Sequence, residues 1–481
     1  MKQIMYILEE VSLLIALLLL FACSNDSEMN SSSPETNTNH LYKIVVNATK
    51  SNGESTRGLS LDGTTLNQKW NEGESVTILK KDGNNWTEIG TLTASASSNE
   101  NTTLSGTVSA ELNVNDELYL LFPRTTWDYT GQNGILYDES SETTIEKKYD
   151  YAQAIVYVTA IDGNNVTVKR KDGVGNYYDG AIFEKEQAII KFTFSVPVKS
   201  VTIRSTNGGL VQKYTLDPSG GLGFYPTNGN LTITASTDQT VFYVAMRNDA
   251  DDKDIYSFSA TDASNNYYAG VKSAKLVNGK FYSAEVALSP VGISNNHEYV
   301  DLGLTSGLKW ATMNIEANSI VGYGGYYAWG ETDVKDAYNW DNYPYGNSSS
   351  CTKLGEFSGS STYDVARVKW GGSWRMPTID EFKELRTNCT WVWTTICGIN
   401  GDLVTGPNGN TIFLPAGGEK EYSSHYDKET VGYYWTTSQM DPNAASTIAY
   451  NYSFNKNFSS GSPSYGSNQR FKGFTVRAVI E

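Results

Sequence analysis

Residues 370–385, WGGSWRMPTIDEFKEL, contain a strong helix start in a chain that otherwise consists of strand and turn patterns. Thr378 is a good N-cap, and Glu381 follows three residues later at capping-box spacing. Pro377 favours an extended entry into the helix. Phe382 and Leu385 then fall on one face. The stretch predicts a capped amphipathic helix that packs on an aromatic core.

Two arginines, Arg375 and Arg477, are expected to be interior charged residues. Arg375 lies between Trp374 and Met376, in a stretch where the pattern predicts burial. A buried guanidinium needs a carboxylate or several carbonyl oxygens as partners. We therefore expect Arg375 to have a structural role.

The composition changes at Glu298, because eight of the 11 Trp and three of the four Cys lie beyond it. Such aromatic density predicts a compact core of its own. Residues 298–481 carry, in order, the stretches YVDLGL, LKWATMN, YAWGET, WGGSWRMPT, TGPNG, FLPA, YWTTS and VRAV. Together these resemble the Fibrobacter succinogenes major paralogous domain. The resemblance implies an α+β fold similar to C-type lectins, with long irregular loops.

One loop of this region combines acids with aromatic residues. Aromatic faces stack on sugar rings while carboxylates accept hydrogen bonds from hydroxyls, so the loop is a candidate for binding a sugar. The residues proposed for contact are Glu331, Trp340, Tyr343 and Tyr345, accompanied by Asp333, Asp336 and Asp341. Trp329 is expected in the core. The alternative is an exposed loop whose Trp residues anchor it to the core.

Residues 41–288 show short strand patterns and no sustained helical period. Asp82-Gly83 joins residues 76–79 to 86–92 as a hairpin, and 162–165 joins 155–161 to 166–168 in the same way. Phe192, Phe194, Val196 and Val198 alternate with polar or neutral residues, as in a half-buried strand. Short strands at this spacing predict β-sandwiches.

The same region resembles the Mfa-like fimbrillin family of Bacteroidales. The resemblance rests on Thr56-Arg57 and on the stretches WNEGESV (70–76), AIIKFTFSV (188–196) and NGKFYSAEVAL (278–288). It implies two transthyretin-like sandwiches of a surface lipoprotein, often a pilus subunit. It also implies Arg57 as a processing site, after which loss of residues 43–48 opens a groove for a neighbour's donor strand. The alternative is an uncut stalk in which Arg57 is a surface residue.

The N-terminus predicts export and lipid anchoring. Lys2 leads into an apolar run over residues 11–22 that is too short to span a bilayer and has a signal-peptide shape. The sequence Leu20-Phe21-Ala22-Cys23 resembles a bacterial lipobox, which implies cleavage before Cys23 and lipidation of its thiol. The acidic residues that follow resemble the surface-export signal of Bacteroidetes lipoproteins, which implies the outer face of the outer membrane.

Other chemistries find little support in the sequence. The formal net charge of −16 argues against nucleic-acid binding. No cofactor motif, zinc spacing or regular calcium loop is present, so we expect no cofactor and no metal. His425 beside Ser424 and Asp427 is weak support for a triad, and we expect no enzyme. Cys389 and Cys397 could pair, or they remain free thiols.

We thus expect a mainly β chain with two tandem sandwiches and a lectin-like α+β domain. The expected bounds are 1–22 for the signal peptide, 23–40 for a flexible tether, 41–186 and 187–288 for the sandwiches, 289–297 for a linker and 298–481 for the last domain. The expected function is that of a surface-exposed tip or accessory pilus subunit or adhesin. Its expected partners are the outer membrane, other pilin subunits, and a glycan or protein. The alternatives are a purely structural surface protein and, less favoured, a polysaccharide-active enzyme.

Overall fold

The structure is a computed structural model that describes residues 40–50, 60–62, 65–67, 69–83, 85–95, 100–123, 126–138, 140–141, 143–216, 224–249, 253–441, 446–455 and 464–481. Every element below belongs to the compact unit Leu41–Glu481. Strands dominate it, as expected for a mainly β chain. None of the helices in the described ranges is both long and apolar enough to cross a membrane.

The N-terminal part is a nine-stranded sheet that closes on itself. Its order is β11-β10-β1-β12-β9-β7-β4-β5-β6, and β1 also pairs with β6. In β1, Tyr42, Ile44, Val46 and Ala48 are buried, and the residues between them are exposed, so the period of two decides which face packs inward. Both predicted hairpins are confirmed, as β4–β5 and β9–β10. The strands here are β1 (Leu41–Lys50), β2 (Ser60–Asp62), β3 (Thr65–Asn67), β4 (Ser75–Asp82), β5 (Asn85–Ala94), β6 (Asn101–Ser109), β7 (Glu117–Phe122), β8 (Thr126–Asp128), β9 (Ala152–Asp162), β10 (Asn165–Lys171), β11 (Tyr177–Asp179) and β12 (Ala181–Lys185), and the short helix α1 is Ile145–Lys148.

The next part is organised around one long strand. β13 pairs with β16 along its length, with β19 at its first half and with β17 at its second half. Phe192, Phe194 and Val198 are buried, which confirms the predicted alternation at these positions. The strands are β13 (Ala188–Ser205), β14 (Val211–Leu216), β15 (Phe224–Asn228), β16 (Leu231–Met246), β17 (Asp254–Thr261), β18 (Tyr267–Ala274) and β19 (Phe281–Val286).

The expected linker at 289–297 is not an irregular segment. Strand β20 (Ser289–Ser294) pairs with β18 through residues 289–291 and with β21 (His297–Asp301) through residues 292–294. Asn295 and Asn296 both have positive φ, of 46° and 64°, which is the geometry of a tight hairpin turn. The Asn, Ser and Gly that suggested a linker therefore form a turn and an edge between two strands. One sheet runs from the part that contains β13 to β19 into the C-terminal region. Its order is β16-β13-β17-β18-β20-β21, followed by β22 (Lys309–Asn314) and β31 (Arg477–Ile480).

The C-terminal region combines short sheets with long loops and two helices. Its remaining strands are β22 (Lys309–Asn314), β23 (Thr390–Ile396), β24 (Ile399–Thr405), β25 (Thr411–Pro415), β26 (Glu419–Glu421), β27 (Ser424–Tyr426), β28 (Val431–Gln439), β29 (Ile448–Asn455), β30 (Ser464–Gln469) and β31 (Arg477–Ile480), and its helices are α2 (Val365–Trp370) and α3 (Ile379–Asn388). Trp310, Trp329, Trp374 and Trp435 are fully buried. The expected aromatic core is therefore present, with Trp329 inside it.

Helix α3 begins as the sequence predicts. The Thr378 side chain accepts from the Glu381 N–H, and the Glu381 carboxylate accepts from the Thr378 N–H at 2.8 Å. Glu381 also accepts two hydrogen bonds from Arg375, at 2.9 and 2.6 Å. Phe382 and Leu385 are fully buried. One carboxylate thus caps the helix and pairs the guanidinium, as expected for Arg375.

Candidate functional site

Two loops that the sequence leaves far apart meet on the surface of the C-terminal region. The Tyr338 N–H donates to the Tyr422 carbonyl at 2.8 Å, and the Tyr422 N–H donates to the Tyr338 carbonyl at 2.7 Å. Tyr338 is buried, whereas the Tyr422 side chain is 58% exposed. This pairing fixes the backbone of both loops beside each other without burying the Tyr422 ring.

Trp340 lies next to this contact and is held by a short helical turn. Asn339 caps the turn Trp340–Asn342, because its side chain accepts from the Asn342 N–H at 3.1 Å. The Trp340 ring packs edge-on against buried Phe471 at 4.8 Å, and the Tyr422 ring lies 6.4 Å from Phe471. We call Trp340, Asp341 and Tyr422 the loop surface. It offers two aromatic side chains and one exposed carboxylate on a fixed backbone.

The expectation of an exposed aromatic platform fails at Tyr343. Its side chain is 4% exposed, and its hydroxyl donates to the Trp329 carbonyl at 2.8 Å. Burial raises its pKa well above the ordinary range. Tyr345 is half-buried and packs edge-on against Tyr343 at 5.7 Å. These two rings therefore form no exposed platform, because the Tyr343 hydroxyl is bonded to a buried carbonyl and Tyr345 packs against the Tyr343 ring.

The four acids of this loop do not converge. Glu331 pairs with Lys335 at 2.9 Å, and burial raises its pKa. Asp333 is exposed and lies 3.4 Å from Lys369. Asp336 and Asp341 are exposed as well. Within the described ranges no three or more His, Cys, Asp or Glu side chains are placed to hold a metal ion.

Arg470, which the sequence analysis did not single out, supports the loop from behind. Its guanidinium is fully buried, 4.3 Å from the Trp329 ring centroid, and donates to the Thr352 carbonyl at 2.9 Å. Burial lowers the pKa of this arginine. Its sequence neighbours Asn468 and Gln469 gave no sign of burial. Arg470 therefore fixes the end of the loop and has no access to a ligand on the loop surface.

A polar cavity of about 270 Å³ lies between the part that contains β13 to β19 and the C-terminal region. Arg204 donates to the Ser259 hydroxyl at 2.7 Å, and Ser259 donates to Glu298 at 2.8 Å. Burial raises the pKa of Glu298. Asn296 and Asn318 line the cavity and are exposed, so it opens to solvent there. Sequence reasoning missed this site because it placed a linker here.

The remaining predicted residues take other positions. Cys351, Cys389 and Cys397 are free thiols, so Cys389 and Cys397 do not pair. The His425 ring contacts the Gly417 carbonyl at 2.7 Å and the Tyr326 ring. These two contacts do not form a catalytic triad. Cys23 and Arg57, with the expected signal peptide and most of the tether, lie outside the described residues.

Comparisons with known proteins give weak likenesses. No family model matches the chain, and no curated protein matches it. Among solved structures it is similar to a fimbrial protein from Bacteroides ovatus, with 9% identity, a TM-score of 0.23, and 92% of this chain and 99% of that chain covered. It is also similar to the tip fimbrial protein Mfa3 from Porphyromonas gingivalis with a C-terminal truncation, with 11% identity, a TM-score of 0.26, and 52% and 99% covered. At these TM-scores the likenesses carry no argument for function.

Proposed function

We propose that the chain is a surface-anchored protein of fimbrillin type, a tip or accessory pilus subunit or adhesin that presents a lectin-like C-terminal domain. The proposal takes its class from the sequence resemblance, with Cys23 as the lipid attachment site and the outer face of the outer membrane as the location. Two fimbrillin-like sandwiches would form the stalk. Donor-strand exchange with other pilin subunits, following a cut at Arg57, belongs to the same proposal.

The observation that carries the binding role is the pairing of Tyr338 with Tyr422. It joins two long loops, where the half-buried Trp340 ring and the exposed Tyr422 ring both lie near Phe471 and the Asp341 carboxylate is exposed. Aromatic rings and a carboxylate on a fixed backbone suit the faces and hydroxyls of a sugar. Strand β20 supports the role, because a domain held by a shared sheet keeps a fixed direction relative to the stalk. The ligand we propose is a glycan.

A glycan array with the full chain tests the binding role. We expect binding to at least one glycan class, and about tenfold weakening with Tyr422→Ala or Trp340→Ala, since an aromatic contact contributes about 0.5–1.5 kcal/mol beyond the area it buries and tenfold corresponds to about 1.4 kcal/mol. Tyr465→Ala is the matched control, because Tyr465 is similarly exposed at 47% but lies outside the loop surface. Binding that survives both loop variants and is lost with Glu298→Gln would move the site to the polar cavity. No binding to any glycan would favour the purely structural alternative.

The location is tested separately by fractionation of the native host. Surface labelling and co-purification with sheared pili are the expected results, and Cys23→Ser should release the protein from the membrane fraction. Recovery only as a monomer in membrane vesicles would count against the pilus role.

A further inference from the structure

The N-terminal sheet encloses a group of charged side chains that the binding role does not use. We call Lys50, Glu74, Glu146, Asp150 and Lys185 the charge cluster. Lys185 and Lys50 are only 7% and 3% exposed, and Asp150 is 8% exposed. The Lys185 ammonium pairs with Asp150, and the Lys50 ammonium lies 3.9 Å from the other oxygen of that carboxylate. Lys50 also pairs with Glu74 at 3.0 Å.

Aromatic rings surround one side of the cluster. The Lys50 nitrogen lies 4.3 Å from the Trp70 ring centroid and 4.0 Å from that of Phe122. Trp70 in turn packs edge-on against Phe122 and Phe183, each at 5.2 Å. Trp70 and Phe183 are fully buried. The paired amine and carboxyl groups therefore lie in an apolar environment from which water is largely excluded.

This environment shifts the pKa of two members of the cluster, Lys185 and Glu146. Burial lowers the Lys185 pKa to about 8, and the neighbouring Lys50 charge acts in the same direction. A fraction of Lys185 is therefore a neutral amine near neutral pH, and a neutral amine is the nucleophilic form. Burial also raises the pKa of Glu146, and the Asp150 charge adds to this effect. The Glu146 Oε2 atom is buried without a hydrogen-bond partner among the described residues.

We propose that Lys185 and Asp150 condense to an intramolecular amide that cross-links the N-terminal sheet. A proton first passes from the Lys185 ammonium to the Asp150 carboxylate. The Lys185 nitrogen then attacks Cγ of Asp150, while the Lys50 ammonium stabilises the oxyanion that forms. The nitrogen loses a second proton, which passes to the leaving hydroxyl, and Glu146, which interacts electrostatically with Asp150, is the group in the cluster that carries it. The C–N bond forms, one C–O bond breaks and one water molecule leaves, so no oxidant or co-reactant is needed.

The position of this bond indicates that it would stabilise the N-terminal sheet, a role that the proposed function does not include. Asp150 lies two residues before the start of β9, and Lys185 ends β12, where it pairs with Ala152 of β9. The amide closes the segment from Asp150 to Lys185 into a covalent loop beside the end of β1. A closed loop constrains the unfolded chain and resists pulling or proteolysis, which suits a stalk exposed outside the cell.

Peptide mass mapping of the purified, denatured full chain tests the proposal. We expect a branched peptide that joins the segments containing Asp150 and Lys185 and is lighter than the two linear peptides by one water molecule. Lys185→Arg and Asp150→Ala should each abolish it. Glu146→Gln should slow its formation by about a hundredfold, as expected for loss of a general acid–base. Lys81→Arg is the control, because Lys81 pairs with Glu117 in the same sheet at 3.3 Å but is more exposed.

Each other outcome contradicts the assignment. Linear peptides for both residues in the wild-type chain would overturn the cross-link, and this reading does not depend on any variant folding. A branched peptide that persists in Lys185→Arg, or one that contains Lys50, would overturn the choice of Lys185. Undiminished formation in Glu146→Gln would overturn its role in proton transfer. Circular dichroism of each variant shows whether the fold is retained.

Discussion

The N-terminal sheet and the C-terminal domain both bury a cation, but they stabilise it by opposite means. Lys185 is paired with a carboxylate, and burial lowers its pKa to about 8. Arg477 is fully buried and donates to the carbonyls of Ala311 and Phe413 at 3.0 and 2.9 Å and to the Asn314 side chain at 2.9 Å. Burial lowers its pKa to about 10, so it stays charged at neutral pH.

The two buried cations differ in whether they can react. A lysine can lose its proton and react, whereas an arginine keeps its charge and its five donors in a rigid plane. In the C-terminal domain that plane ties together strands β22, β25 and β31, which short sheets and long loops would otherwise hold weakly. The N-terminal sheet is held by the hydrogen bonds of a sheet that closes on itself, so Lys185 and Asp150 are not needed as a purely structural ion pair.

Removal of the buried arginine should have the largest effect. We expect Arg477→Met to lower the free energy of unfolding of the C-terminal domain by about 3–5 kcal/mol, because buried carbonyls lose their donors. Chemical denaturation followed by Trp fluorescence measures this. Arg386→Met is the control, since Arg386 is exposed, and should change the value by less than about 0.5 kcal/mol. Equal effects would show that the Arg477 contacts do not stabilise the domain.

Asp402 is a buried acid that has no ion pair within the described ranges, unlike the acids of the charge cluster. Asp402 is 6% exposed, and burial raises its pKa to about 7. Because the folded pKa lies above the unfolded one, its contribution is favourable at low pH and is lost as the pH rises from about 4 towards 7. We expect Asp402→Asn to stabilise the protein by about 2 kcal/mol or more at pH 8 and by less than about 1 kcal/mol at pH 4. A gain that is the same at both pH values would contradict this assignment.

The helix cap should give the smallest effect. Thr378→Ala removes the side chain that accepts from the Glu381 N–H, and we expect a loss of about 1 kcal/mol in denaturation experiments. Thr387→Ala in the last turn of the same helix is the matched control and should change stability little. If the two variants lose the same amount, the capping box contributes nothing measurable and the Arg375–Glu381 pair alone orders the helix start.

The sequence predicted those features that depend on neighbouring residues. The capping box, the Arg375 partner, both hairpins and the alternation in β13 all follow from spacing of a few residues. Trp329 was correctly expected inside, because large aromatic side chains are mostly buried. Such local patterns are compatible with few other conformations, so the structure contains them as predicted.

Features set by distant contacts were not predictable. Trp340, Tyr343 and Tyr345 have similar neighbours in the sequence, yet Tyr343 is buried because the Trp329 carbonyl lies within reach of its hydroxyl. Tyr422 reaches the loop surface only through its pairing with Tyr338. Strand β20 resembled a linker because its composition does not reveal that its first half pairs with β18 and its second half with β21.

The claim that the C-terminal domain continues the stalk is tested most directly by amide hydrogen exchange of β20 in the full chain. We expect the amides of residues 289–294 that pair with β18 and β21 to exchange about as slowly as the paired amides of β17 and β22. Exchange at the rate of an unprotected peptide, while β17 and β22 stay protected, would show a flexible linker. The C-terminal domain would then not be held in a fixed direction.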